Sequence, residues 1–393
     1  MPAALDGIRM LDMAWQGPGV FCATLLGDLG VDVIKVYEAH PERRGGPLAF
    51  MYPDVAFFPG WRNCKTMGLN LKDEEGLRIF YQLAEGADVI IEGFRPGVTR
   101  RLRVDYDTMK KVNPRLVYAS LTGYGQNGPY RDYVGHDINY ISVGGLLGTT
   151  RLPDGPPVIP RTVLADFAAG GMATAVGILA ALMAREKTGA GQYVDVAMAD
   201  AVVALMMPVI LPCLMDQVVS EQGETIATGE RPRPWYNVYE TKDGKHISVG
   251  AVEPWFYANL CQLLGREDFA EHQFAEGEKR EEIQQYFTSA FLSKTRDEWL
   301  EILRRKDTCV SPVYGPHEVV RDPQLLAREM IVELDHPVLG KAKQIGTMLK
   351  LSESPLEARC WSQRFGQHTD EILHELGYDD ARIRKLREAD VVG

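Results

Sequence analysis

The chain has 393 residues, 45% of them hydrophobic, and a formal net charge of −11. That is a globular composition, long enough for two domains or for one large domain with a smaller one inserted. The acidic balance opposes binding to nucleic acid and to anionic membrane surfaces, and any anionic ligand then needs a local basic patch.

In chain order, Ile8–Ala14 reads as a strand, Gly17–Gly19 as a turn, and Val20–Leu29 has helical spacing. Val31–Tyr37 is a second strand, Lys72–Ala84 an amphipathic helix, Ala87–Phe94 a third strand, Tyr106–Val112 a helix and Leu116–Leu121 a fourth strand. Strands alternating with helices predict a parallel, doubly wound α/β sheet, in which ligands bind beyond the carboxyl ends of the strands. Leu164–Glu186 is rich in Ala, Gly, Leu and Met and predicts a buried helix. A strand and another helix follow. The apolar window Met198–Met215 approaches a membrane span in length, but it holds Asp200 and two prolines, which favours a broken core helix.

Composition turns polar near residue 216, and Tyr236–Gly250 predicts a hairpin turning at Asp243–Gly244. Helical segments run to about 330, residues 334–353 read as strands and loops, and the tail from Gly366 predicts charged surface helices. The domain reading is therefore a large domain over 1–215, a linker and small domain over 216–330, and a return to the large domain with C-terminal helices over 331–393.

Cys22, Cys64, Cys213, Cys261, Cys309 and Cys360 form no CxxC pair and no metal-ligand spacing. They predict reduced packing thiols and no metal site. With neither a secretory signal nor a peroxisomal one read in the sequence, a cytoplasmic protein is expected.

Two chemical questions follow. Gly17-Pro18-Gly19 followed by Cys22 imitates a dinucleotide fingerprint, with Glu38 placed to face a ribose, yet Cys22 stands where the third glycine belongs. A tight turn explains it as well as a nicotinamide site does. Arg43, Arg44, Arg62, Lys65, Lys72 and Arg95 lie in loops or at helix starts after strands, where a polyphosphate could be held. Scattered solvated charge is the competing explanation. The segment GHDINY places His136 beside Asp137, and Asp166 stands alone in the apolar VLADFAAGG. Each has a structural alternative: Asp137 or Asp166 as a helix cap, and Glu253-Pro254 as a helix start. Met198, Met206, Met207 and Met215 could line an acyl pocket or pack in the core.

Several segments together resemble one family. They are LDGIRMLDMA, LLGDLGVDVIKVY, NCKTMGLNLKDEEG, EGFRPGV, VNPRLVYASLTGYGQNGP, AREKTGAGQYVDVAM and GQHTDEILHELGY. In order, and over nearly the whole chain, they are similar to the class III CoA-transferases and the α-methylacyl-CoA racemases that share their fold. GHDINY and GAVEPWFY resemble the racemase branch. The resemblance implies His136 and Asp166 as the acid/base pair, with Asp137 and Glu253 as carboxylates supporting the histidine. It implies Arg43 or Arg44, Leu69, Leu71, Lys72 and Arg95 at the coenzyme A nucleotide and phosphates, and Gly123, Tyr124, Gly125 and Tyr140 as further coenzyme A-binding residues. Racemases of this kind carry an asparagine four residues before the aspartate. Here that position is Thr162, beside Arg161.

The implied reaction is proton transfer at C2 of a 2-methylacyl-CoA in an interlocked homodimer, with coenzyme A as part of the substrate and no prosthetic group. Histidine can donate or accept near neutral pH, and an aspartate can do the same if an apolar pocket raises its pKa. Backbone N–H groups near Gly135–Asp137 are expected to hold the enolate oxygen. The alternatives are a CoA-transferase using Asp166 as nucleophile, a silent CoA-binding subunit, and a nicotinamide oxidoreductase.

Overall fold

The computed structural model describes residues 2–14, 17–40, 62–150, 155–214, 233–336, 339–361 and 364–393. Arg43, Arg44 and Met215 lie outside them. The chain divides into two compact units, one made of Met1–Ile210 with Glu329–Gly393 and the other of Leu211–Arg328.

In the first unit the strands are β1 (Arg9–Asp12), β2 (Asp32–Tyr37), β3 (Cys64–Gly68), β4 (Val89–Glu92), β5 (Val117–Thr122) and β6 (Tyr193–Ala197). They form one sheet in the order β3-β2-β1-β4-β5-β6, with every pairing parallel. This is the expected doubly wound α/β sheet, with its topological switch between β1 and β4. The sequence reading missed β3. Its residues CKTMG carry a lysine and a glycine, and only pairing with β2 makes them a strand.

Successive strand residues point to opposite faces, so each strand feeds two cores. Met10, Val33, Val89 and Val117 pack with α1 (Gly17–Asp28) and the helix ending at Thr188. Leu11, Ile34, Ile90 and Tyr118 pack with α2 (Glu74–Glu85) and the C-terminal helices. A short α3 (Val98–Arg101), α4 (Tyr106–Val112) and α5 (Asp137–Val143) follow in the connections. At the carboxyl end of β1, Asp12 is buried and ion-paired with the buried Lys35 of β2. Burial still pushes the Asp12 carboxyl upward, against the lysine's pull.

The predicted helix from Leu164 forms, but not as one α-helix. Ala165–Gly171 is a π-helical turn, and α6 (Met172–Thr188) continues from it. Ala165–Thr188 is long and apolar enough to cross a membrane by length and composition alone. One face packs on the sheet through Ala175, Ile178 and Leu182, and its buried Arg185 pairs with Asp88 at 2.9 Å. Burial is not all-round as expected: Val176 and Met183 are 66% and 68% exposed. α7 (Met198–Leu205) follows β6. Met198 and Met206 pack in the core, whereas Met207 is exposed.

The second unit carries the expected hairpin, β7 (Tyr236–Glu240) with β8 (His246–Gly250), and Gly244 turns it at φ +70°. A third antiparallel strand, β9 (Val310–Val313), lies in a stretch the sequence reading took as helical. α8 (Pro254–Leu263), α9 (Gly277–Phe291) and α10 (Arg296–Leu303) enclose an aromatic core of Tyr239, Tyr257, Phe269, Phe287, Phe291 and Trp299. In the first unit, β10 (Ile331–His336) and β11 (Gly340–Ile345) form a separate hairpin, and α11 (Thr369–Glu375) and α12 (Asp380–Glu388) close the chain.

Candidate active site

Among the candidate residues of the first unit, His136, Asp137 and Asp166 come together, with Asp166 against Gly17 at the start of α1. His136 takes the N-cap position of α5 with extended backbone, and its N–H donates to Asn139 Oδ1 at 3.0 Å. That amide is therefore already used and is no open donor for an enolate oxygen. Asp137 occupies the first helical position. The resemblance gave it to the histidine, but its Oδ1 accepts the backbone N–H of Asp166 at 3.0 Å. The side chain of Asp137 thus ties α5 to the π-helical turn.

Asp166 is no helix cap. It lies inside the first turn of the π-helix, after Leu164, which is already helical. A π-turn takes one residue more than an α-turn and recurs at functional sites. Burial pushes the Asp166 carboxyl up to about 6, the Asp137 carboxylate adds to the rise, and His136 opposes it. Asp166 therefore feels both members of the histidine–aspartate pair.

Gly17, read in the sequence as part of a turn or a dinucleotide fingerprint, packs instead against the candidate acid. A Cβ there would sit 2.2 Å from Asp166 Oδ2, and its backbone has φ +39°, where L side chains are strained. The positive end of α1 thus meets a carboxyl. Gly17-Pro18-Gly19 form the first turn of that helix, and an aspartate stands where a dinucleotide's pyrophosphate would lie, which disfavours the nicotinamide reading. Phe21 stacks on Phe167 with ring centroids 5.1 Å apart, and Gly171 packs against the Pro18 carbonyl and Phe21. The doubled glycine after Asp166 was the signal available in the sequence for this close approach.

His136 is exposed, and the aromatic residues cluster beside its neighbour Gly135. Tyr140 donates its hydroxyl to the Gly135 carbonyl at 2.5 Å and meets Tyr124 edge-on at 5.2 Å. Gly123 is required there, because a Cβ would lie 2.1 Å from the Tyr140 ring. Gly125, at φ +84°, donates its N–H to Thr122 Oγ1. Burial raises the Tyr140 hydroxyl to about 12, with Tyr124 and Asp166 adding and the exposed Arg95 opposing.

Leu69, Leu71 and Lys72 line one hollow with Glu38 and Phe94 at the carboxyl ends of β2 and β3. Two of the loop cations expected near a polyphosphate are engaged elsewhere. Arg62 is buried against Asp28 at 2.6 Å, and Lys65 bridges Glu371 and Glu375 at 2.8 and 3.0 Å. Thr162 is exposed. Glu253, in the second unit, is the N-cap of α8 with Pro254 in the first turn, and its side chain makes no capping bond. Among the described residues, no group of three or more His, Cys, Asp or Glu is arranged to hold a metal ion.

Comparison with known proteins identifies the family. The family model described as CoA-transferase family III matches residues 5–369. The chain is 32% identical to a human α-methylacyl-CoA racemase, over 99% of this chain and 97% of that one. It is 33% identical to the succinyl-CoA–L-malate CoA-transferase beta subunit of Chloroflexus aurantiacus, over 99% and 98%. A CAIB/BAIF family protein from Brucella suis superposes with a TM-score of 0.80 at 26% identity, covering 96% of this chain and all of that one. The chain belongs to CoA-transferase family III, whose members are enzymes that act as racemases or CoA-transferases.

Proposed function

We infer that the protein is a CoA-thioester racemase or epimerase that moves a proton at C2 of a 2-methylacyl-CoA. The observation that carries this reading is the half-buried Asp166 carboxyl, raised to about 6, held through its backbone by Asp137 and electrostatically coupled to His136. A carboxyl raised to about 6 is not locked in one protonation state near neutral pH, as a two-base reaction requires of its acid/base groups. In one direction the Asp166 carboxylate takes the α-proton, and the C–H electron pair moves into the thioester carbonyl to form an enolate. His136 as imidazolium then gives a proton to the opposite face of C2. The reverse direction exchanges the roles. Coenzyme A enters as part of the substrate, with Lys72, Leu71 and Arg95 along its nucleotide and phosphates, and the reaction as proposed uses no prosthetic group. Tyr124 and Tyr140 border the thioester. The acting form is taken to be a homodimer, in keeping with the exposed apolar residues Val176, Met183, Leu205 and Met207; light scattering should then give twice the 43.8 kDa chain mass.

The test is exchange of the C2 proton. A 2-methylacyl-CoA is incubated with protein in D2O, and deuterium at C2 is followed for the wild type, His136→Ala and Asp166→Ala. Enzyme-dependent exchange that either substitution abolishes supports the reading. No exchange, with coenzyme A transferred to free acids and trapped on Asp166, overturns it in favour of the transferase chemistry.

A further inference from the structure

The carboxyl edge of the sheet holds a second set of acidic groups that proton transfer does not use. Glu92, Ser120 and Asp195 stand side by side on β4, β5 and β6, paired in register. Equal register on parallel strands puts their side chains on one face. Glu92 is 3% exposed and Ser120 is 2% exposed. Glu92 holds the loop that leaves its own strand, and Asp195 holds the loop that leaves the neighbouring β5. Glu92 Oε2 accepts the Phe94 N–H at 2.8 Å, two residues into the turn before α3. Asp195 Oδ2 accepts the Gln126 N–H at 3.2 Å, in the loop that follows Gly123, Tyr124 and Gly125. Ser120 stands between them in register and opposes the rise of both the Glu92 carboxyl and the Tyr193 hydroxyl, so the row spans three strands.

We propose that Glu92 is a positioning residue for acyl-CoA, its buried carboxyl fixing the turn that presents Phe94 and Arg95 to the ligand. This rests on the acyl-CoA reading above. A buried carboxyl in a sheet needs a reason, because burial penalises its charge. The hydrogen bond from the Phe94 amide supplies one: without the acceptor, that amide is left unpaired and the turn is free to open. The groups facing Glu92 are Ser120 and Tyr118 on β5, and Tyr193 and Asp195 on β6. No cation is among them. Burial, with Asp195 adding, accordingly raises Glu92 to about 7, while Ser120 and the Phe94 amide oppose the rise. Below that pH the turn rests on a neutral acid. Above it a negative charge appears beneath a loop that must accept a polyanion.

The experiment is calorimetric titration of acetyl-CoA into the wild type, Glu92→Gln and Glu92→Ala between pH 6 and 8. Glutamine keeps the acceptor oxygen and removes the titration. The expected result is about tenfold weaker binding by Glu92→Ala, the loss of one buried hydrogen bond. Glu92→Gln should bind within about twofold of the wild type at pH 6, where the hydrogen bond to the turn is preserved. It should also lose less affinity than the wild type on going to pH 8. Ionisation of the ligand's own phosphate is common to all three proteins and cancels in the comparison. A merely structural glutamate would shift melting temperatures without separating the pH curves. Equal affinities and parallel pH curves in all three overturn the Glu92 proposal alone. Failure of the wild type to bind acetyl-CoA overturns the acyl-CoA reading and the proposal with it. If Glu92→Ala does not fold, the Glu92→Gln and wild-type curves decide: divergence toward pH 8 supports the proposal, and parallel curves overturn it.

Discussion

At the scale of the residue, the chemistry turns on how one carboxyl is housed. Desolvation, with the Asp137 carboxylate adding to it, outweighs the imidazole of His136, so Asp166 holds its proton up to about pH 6. In the direction where Asp166 is the base, kcat/KM should therefore rise between pH 5 and 7, about two units above the range of an ordinary aspartate. A pH–rate profile for each direction checks this; an acid limb near 4 in both would mean the carboxyl is not housed as described. The same raised value has a cost in stability. A group favoured in its neutral form stabilises the fold below its unfolded value of 3.8, and that contribution is lost as pH rises through about 6. Gly17 is the second lever. Gly17→Ala places a methyl against Asp166 Oδ2 at a positive φ, so the carboxylate must move. Exchange at C2 should fall by about a hundredfold or more, the scale of a displaced catalytic group. Circular dichroism should show the fold retained, and unchanged exchange would refute the contact.

At the scale of the element, Asp137 joins two helices through a hydrogen bond between residues 29 apart in the sequence. Asp137→Ala frees the Asp166 amide and should lower the exchange rate by about tenfold, while Asp137→Asn, which keeps an acceptor oxygen, should recover most of it. Equal rates for Ala and Asn would show that charge rather than the hydrogen bond matters. Much of the fold was legible here, because hydrophobic runs such as VDVIKVY and LVYASL can hardly be anything but buried parallel strands. β3 was not legible, since CKTMG becomes a strand only by lying beside β2. The strand β9 carries Pro312 and alternates weakly, so it too depends on its neighbour. His136 and Asp166 were legible as isolated polar residues beside apolar runs. Gly17 and Glu92 were not, because their importance lies in what approaches them through space. The loop cations show the converse. Arg62 and Lys65 have the sequence position of ligand-binding residues, and the fold consumes both in ion pairs.

At the scale of the whole molecule, two kinds of core coexist. The first unit is built of aliphatic layers on both faces of a parallel sheet, the second of stacked and edge-on rings. Phe287 is fully buried there, with ring centroids 6.0 Å from Tyr239 and 6.2 Å from Tyr257. Phe287→Ala should cost the second unit about 3–5 kcal/mol, the usual loss for a buried aromatic ring. Denaturant unfolding followed by fluorescence of Trp235, Trp255 and Trp299 should show it as an earlier transition. An unshifted transition would mean the rings are not the core of that unit.

The π-helical turn has one more consequence, which concerns ancestry and register. A single extra residue in a helix leaves the far end in place and swings the near end by about 100° about the axis. Here α6 keeps Ile178 and Leu182 on the sheet while Asp166 faces Gly17. Deleting Ala168 would restore an ordinary helix, preserve the sheet packing and turn the aspartate away from α1. One codon's insertion is thus enough to convert a packing helix into one that also presents an acid, without disturbing the core on which it rests.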